Sequence, residues 1–274
     1  MNLDRYGTSL HVNQKSDKMP VLFLGHGNPM NAIESNQFTS GIIDIGKTIK
    51  RPDLILCISA HWETKGTYVT AMDNPRTIHD FGGFPKELYD VEYPAKGSPE
   101  LARRITSLLK NRKIGLDFKW GLDHGAWSVI KHLYPEADVP IVQMSIDYML
   151  APQEHYDLME QLAPLRNEGV LIIGSGNMVH NLGKADWLRI NDEFGFDWAI
   201  EAGDKMKKFI LENNHKQLIN YRCHGKPFEL AIPTPEHYLP LLYALAVKDE
   251  GENIEIFNDK PVAGSLMMTS LKIG

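Results

Sequence analysis

Residues 54–64, LILCISAHWET, place seven apolar or small residues in a row ahead of a histidine, and the chain repeats that arrangement. A run this short, bounded by polar residues and lacking helical spacing, reads as a strand buried on both faces. Residues 21–24 (VLFL), 139–145 (VPIVQMS) and 170–173 (VLII) have the same character. Helical patterns lie between them. One is opened by Ser98 as N-cap with Pro99 in the first turn and runs through LARRITSLLK; another starts near Pro152; a third is FDWAIEAGDKMKKFILEN. The alternation predicts an α/β fold: a single domain with a largely parallel or mixed central sheet flanked by helices on both sides. Residues 1–19 are polar and aperiodic and read as a flexible N-terminal leader, leaving 20–274 as a single catalytic domain. Residues 62–97, rich in Gly, Pro and aromatics, are too long for an ordinary connection and read as an insertion that walls a pocket.

Bulk properties narrow the chemistry. With 274 residues and 43% hydrophobic composition the chain can bury a large core. A net charge of -6 with scattered Lys and Arg gives no footprint for nucleic acid, and no segment reaches the roughly 20 apolar residues of a membrane helix. The start has no apolar signal-peptide core, so the expected location is cytoplasmic. Two cysteines, Cys57 and Cys223, are too few for a disulfide framework or a four-cysteine zinc site, so a bound metal must use histidine and carboxylate.

Ligands of open α/β sheets bind beyond the carboxyl ends of the strands, and here that position is repeatedly histidine. VLFLG is followed by His26, LILCISA by His61, and LIIGSGNMV by His180. In Thr234-Pro235-Glu236-His237, Thr234 reads as the cap of a helix beginning at Pro235, which puts His237 in its first turn, where the helix dipole keeps the imidazole neutral. Each histidine alone could be a packed ring; four on one rim point to joint ligation of a transition-type divalent ion. His124, in DHGAW, is either a proton carrier facing substrate or a loop residue at a helix start. For His79 loop packing is the favoured reading, with Phe81 and Phe84 as candidate walls for an aromatic ring. Gly174-Ser175-Gly176 reads as a tight turn that lets His180 approach the metal pocket. His-Glu-x-x-His, Gly-x-Ser-x-Gly and Walker motifs do not occur.

Six motifs in order, LFLGHGNPM, SAHWET, HDFGGFPKELY, DHGAWSVIKHLYPEADVPIVQMSID, GSGNMVHNL and PTPEHYLPLLYALA, resemble the LigB-like class III extradiol ring-cleavage dioxygenases, most closely their DOPA 4,5-dioxygenase branch. The resemblance covers nearly everything from Pro20 onward. It implies that His26, His61 and His237 coordinate the metal, with His180 as a further ligand or the catalytic acid/base and His124 contacting substrate or oxygen. It also implies a catechol substrate, O2 as co-substrate and one divalent ion per chain. Fe(II) is expected for turnover and Zn(II) is plausible as the bound ion, because an all-histidine site accepts zinc although zinc has no redox chemistry. From the residues alone, a zinc-dependent hydrolase on the same histidine site stays open as an alternative, as does a non-catalytic binder of phenolic ligands.

Overall fold

A computed structural model describes residues 18–110, 112–190 and 192–274. In chain order its strands are β1 (Val21–Gly25), β2 (Leu54–Thr64), β3 (Thr67–Thr70), β4 (Ile114–Asp117), β5 (Ile141–Asp147), β6 (Val170–Gly176), β7 (Ile254–Phe257), β8 (Pro261–Val262), β9 (Leu266–Met267) and β10 (Ser270–Ile273). The helices that matter below are α1 (Gln37–Lys47), α2 (Lys86–Tyr89), α3 (Pro99–Leu108), α4 (His124–Leu133), α5 (Pro152–Glu160), α6 (Asp197–Leu211), α7 (His215–Ile219), α8 (Lys226–Ala231) and α9 (Leu239–Ala246).

Why the central strands are apolar throughout follows from their cover. Val21 and Phe23 of β1, with Val170 and Ile172 of β6, enter one hydrophobic layer, while Leu22, Leu24, Leu171 and Ile173 enter the opposite one. Successive strand residues point to opposite faces, so each face needs its own helices. Ile42 and Ile45 of α1 and Trp127 and Ile130 of α4 cover the second layer. Ile105 of α3, Leu158 of α5, Met206 of α6 and Leu241 of α9 cover the first. The eight-stranded sheet runs β4-β3-β5-β2-β6-β1-β10-β7, with β8 and β9 a separate pair. Its centre, β5-β2-β6-β1, is parallel, whereas β3 meets β5, and β10 meets β1 and β7, in antiparallel fashion. The sheet is therefore mixed, with helices on both sides, as the residue pattern predicts.

Four local expectations change. β2 does not stop at Ala60 but continues to Thr64, so much of the presumed insertion is β2 and β3, and the irregular part is 71–97 with only α2 inside it. Gly174-Ser175-Gly176 lies within β6 and is not a turn. The last long helix begins at Leu239, not Pro235, and Thr234 bonds Glu236 through its hydroxyl in place of capping it. Lys18 and Met19, assigned to the leader, are already folded: Met19 is buried and exchanges hydrogen bonds with Arg166, and Lys18 pairs with Glu252 at 3.2 Å. The rest of the leader, 1–17, lies outside the described residues.

Candidate metal centre

The parallel centre of the sheet delivers its strand ends to one rim, and three histidines meet there. His26 follows β1 directly; its carbonyl accepts from Asn31 Nδ2 at 3.2 Å, and Asn28 caps the short 3-10 turn Pro29–Ala32 behind it. His61 sits where β2 loses register with β5: β2 goes from Ile58 to Glu63 while β5 goes only from Met144 to Ile146. Extra residues in one strand of a pair bulge and re-aim a side chain, here the imidazole. His237 lies in the turn ahead of α9, its carbonyl accepting the Asn177 N–H at 2.8 Å. A Cβ on Gly176 would lie 2.2 Å from that carbonyl oxygen, so the glycine of β6 exists to let His237 come close. The approach expected of His180 is in fact that of His237.

The three rings are separated by 5.0 to 5.2 Å between centroids, and one nitrogen from each lies within 4.8 Å of the others. Which nitrogen is fixed by the outer partners. The single proton of the Ser175 hydroxyl goes to the Gly125 carbonyl, so its oxygen accepts from His26 Nδ1, 3.1 Å away. Asp80 Oδ2 lies 3.1 Å from His61 Nδ1, and Glu236 Oε1 lies 3.0 Å from His237 Nδ1. With His26 and His237 bonded outward through Nδ1 and His61 Nδ1 beside the Asp80 carboxylate, the Nε2 atoms are left to face the centre of the cluster. His26 Nε2 and His61 Nε2 are 3.2 Å apart. Two nitrogens about 2.0–2.1 Å from a tetrahedral ion stand about 3.4 Å apart, so the donor set fits one divalent ion.

Electrostatics agree with that arrangement. Burial, and then the neighbouring histidines, push the His26 pKa well down, and burial lowers that of His237 against the pull of Glu236. Burial opposes charge on His61 too, but the hydrogen bond to Asp80 and the charges of Asp123, Asp80 and Glu236 prevail and raise its pKa. Asp80 stays ionised: burial works against it, but the close His124 and His61 rings and the His124 backbone N–H hold its pKa far below the carboxylate range. Glu236 resists burial likewise, brought to about 2 by His237, its own N–H and Thr234.

His180 and His124 flank the triad differently. The His180 ring lies parallel to His237, 3.5 Å between centroids and 6° from coplanar orientation, and burial followed by the charge of His237 brings its pKa to about 3. His124 is buried at the start of α4, its ring 4.0 Å from His61, with Nδ1 3.0 Å from Asp80 Oδ2 but poorly aligned for a hydrogen bond. Asp123 accepts the Ala126 N–H at 3.1 Å as the cap of that helix and the Ser59 hydroxyl at 2.6 Å. Gly125 leaves no room for a side chain, since a Cβ would lie 2.7 Å from His61 Cδ2 and 2.5 Å from Ser59 Oγ. Phe81 reaches His124 at 5.4 Å and packs edge-on against Phe84.

The structure thus gathers His26, His61 and His237 into one set and places His124 and His180 against it. His79 is not in this set; its Nε2 bonds the Val91 carbonyl at 2.9 Å. His155, His132, His215 and His224 all have partners within the fold, and His155 is fully buried. His11 lies outside the described residues. Sequence reasoning missed Asp80, Ser175 and a role for Glu236. Only the neighbours of Asp80, His79 and Phe81, carried a signal, because a lone aspartate in an irregular loop has no pattern of its own.

Comparison with known proteins follows the same line. Residues 20–262 match the family described as the catalytic LigB subunit of aromatic ring-opening dioxygenase. The chain is 46% identical over 267 residues to the 4,5-DOPA dioxygenase extradiol of Escherichia coli (strain K12), covering 96% of this chain and 97% of that one. With the protein of the same name from Beta vulgaris it shares 36% over 258 residues, covering 92% and 95%. The crystal structure of an uncharacterized protein from Escherichia coli K12 superimposes with a TM-score of 0.81 at 42% identity, covering 94% of this chain and 100% of that one.

Proposed function

The chain belongs to the LigB family of aromatic ring-opening dioxygenases, and from that premise we propose that it opens the ring of a DOPA-like catechol beside its two hydroxyls, using O2 at one divalent ion. The observation that carries the reading is the convergence of one ring nitrogen from each of three histidines whose Nδ1 atoms all face outer partners. In this reading His26, His61 and His237 are the ligands. An ion held there would accept both catechol oxygens and, as Fe(II), would let electron density pass from the catecholate, which is oxidised, to O2; Zn(II) would bind the same donors without that redox chemistry.

The protein's own groups then divide the work. Imidazole binds an ion in the plane of its ring. The His180 ring lies parallel to that of His237 and does not converge with it, so His26, His61 and His237 would hold an ion and His180 would stand beside them. We assign His180 to proton transfer, receiving a catechol hydroxyl proton on a ring that burial keeps neutral. His124, steadied beside Asp80, faces the substrate side and serves the later return of a proton. Phe81 and Phe84 offer the aromatic wall against which a catechol ring packs. The two cysteines are unpaired and no helix among the described residues is long and apolar enough to cross a membrane, which supports a cytoplasmic setting.

Replacement separates the roles. His26→Ala, His61→Ala and His237→Ala should each abolish stoichiometric metal, read by elemental analysis after reloading. His180→Ala and His124→Ala should keep the metal and lose about 10²- to 10⁴-fold in rate. Loss of metal from His180→Ala in step with its activity would make His180 a ligand and refute the assignment.

A further inference from the structure

Of the carboxylates around the histidines, one touches two rings with different duties. Glu236 serves His237, and Asp123 is spent on Ser59, Gln143 and the cap of α4. Asp80 instead bridges. Its Oδ2 is 3.1 Å from His61 Nδ1 and 3.0 Å from His124 Nδ1, and its Oδ1 accepts the His124 backbone N–H at 2.8 Å. It comes from neither β2 nor α4 but from the irregular segment between β3 and α2, and its side chain is only 19% exposed. Gly125 completes the geometry by leaving the edge of His61 uncovered.

We propose that Asp80 is a positioning residue that sets the His61 tautomer, so that Nε2 faces the metal, and locks His124 to the same frame. The inference rests on the reading of His26, His61 and His237 as the metal site. A carboxylate oxygen accepts from Nδ1–H and cannot donate, so a His61 facing Asp80 keeps its proton on the outer nitrogen. A ligand oriented in this way binds metal more tightly than one free to rotate or change tautomer. Through His124 the same carboxylate fixes the distance between the metal ligand and the substrate-facing histidine.

The test uses the full chain with Asp80→Asn, close to isosteric, and Asp80→Ala, both checked for a melting temperature near that of the parent. Zinc affinity is measured by competition with a chromophoric chelator, and the His61 tautomer by nitrogen-15 shifts in metal-free protein. We expect zinc to bind about 10- to 100-fold more weakly in both variants, and the Nδ1–H form of His61 to lose its dominance. His124→Ala should leave zinc affinity within about threefold, because that ring is not a ligand in this account. Folded Asp80 variants with the parent's zinc affinity, or with an unchanged His61 tautomer, would overturn the proposal. Should the parent bind zinc but open no catechol, the catalytic reading fails, while affinity and tautomer still decide the role of Asp80.

Discussion

At the scale of single residues, the site depends on atoms that are absent as much as on those present. Gly125 follows His124 in the first turn of α4, and any side chain there strikes Ser59 and His61. Gly125→Ala should therefore displace His61 and weaken zinc binding at least tenfold while shifting the melting temperature by only a few degrees, overpacking of this kind costing about 1–3 kcal/mol. Chelator competition beside thermal denaturation checks both halves; an alanine variant with normal zinc affinity would show that His61 has slack. The histidines were legible because each follows a readable strand or a Thr-Pro motif. Asp80 was not, since it is 44 residues from His124 and reaches it only through the path of the 71–97 segment. Ser175 was hidden for another reason: a serine within an apolar strand has no visible orientation until the opposite helix is in place.

Elements show where local rules were overridden. Thr234-Pro235 carries the signature of a capped helix start, yet the Pro235 carbonyl closes a turn onto Tyr238 and Leu239, and the helix follows from Leu239. That extra turn is what swings His237 over Gly176. Likewise β2 outruns its apolar stretch because pairing with β5 resumes beyond the bulge. A further element-level tie was invisible in the pattern: Arg166, its side chain 1% exposed, donates to Met19 O, Val247 O and both oxygens of Glu252, pinning the first described residues to the segment after α9. Burial opposes the Glu252 charge, but Arg166, the Asp249 N–H and Lys18 bring its pKa to about 2. A carboxyl depressed in the fold stabilises fully above its unfolded pKa near 4.5 and loses that contribution as pH falls toward 2. Glu252→Gln should cost roughly 2 kcal/mol at pH 7, below the figure for a fully buried pair because Glu252 is partly solvated. The gap between the urea midpoints of parent and variant should be clearly smaller at pH 3 than at pH 7; a constant gap would mean that the pair contributes nothing pH-dependent.

For the whole molecule, the parallel centre and two-sided helical cover were legible because they follow from runs of apolar residues with helices between them. The flanks were not. β7 and β10 are four residues each, β7 has no fully buried residue, and their antiparallel places are set by the chain's return, not by composition. The topology brings β1, β2 and β6 side by side, so His26 and His61 share one rim, His237 reaches it from the turn beside β6, and Phe81 packs against His124 next to it. The most direct test of that arrangement as a ring-opening site is oxygen consumption. Protein stripped by chelator and reloaded anaerobically with Fe(II) is given DOPA and a small panel of other catechols, with zinc-loaded protein as control. The expected result is uptake of about one O2 per catechol with a yellow ring-opened product, and neither in the zinc control. A fully iron-loaded sample that consumes no oxygen with any catechol, while zinc-loaded protein hydrolyses an ester or amide without oxygen, would contradict it.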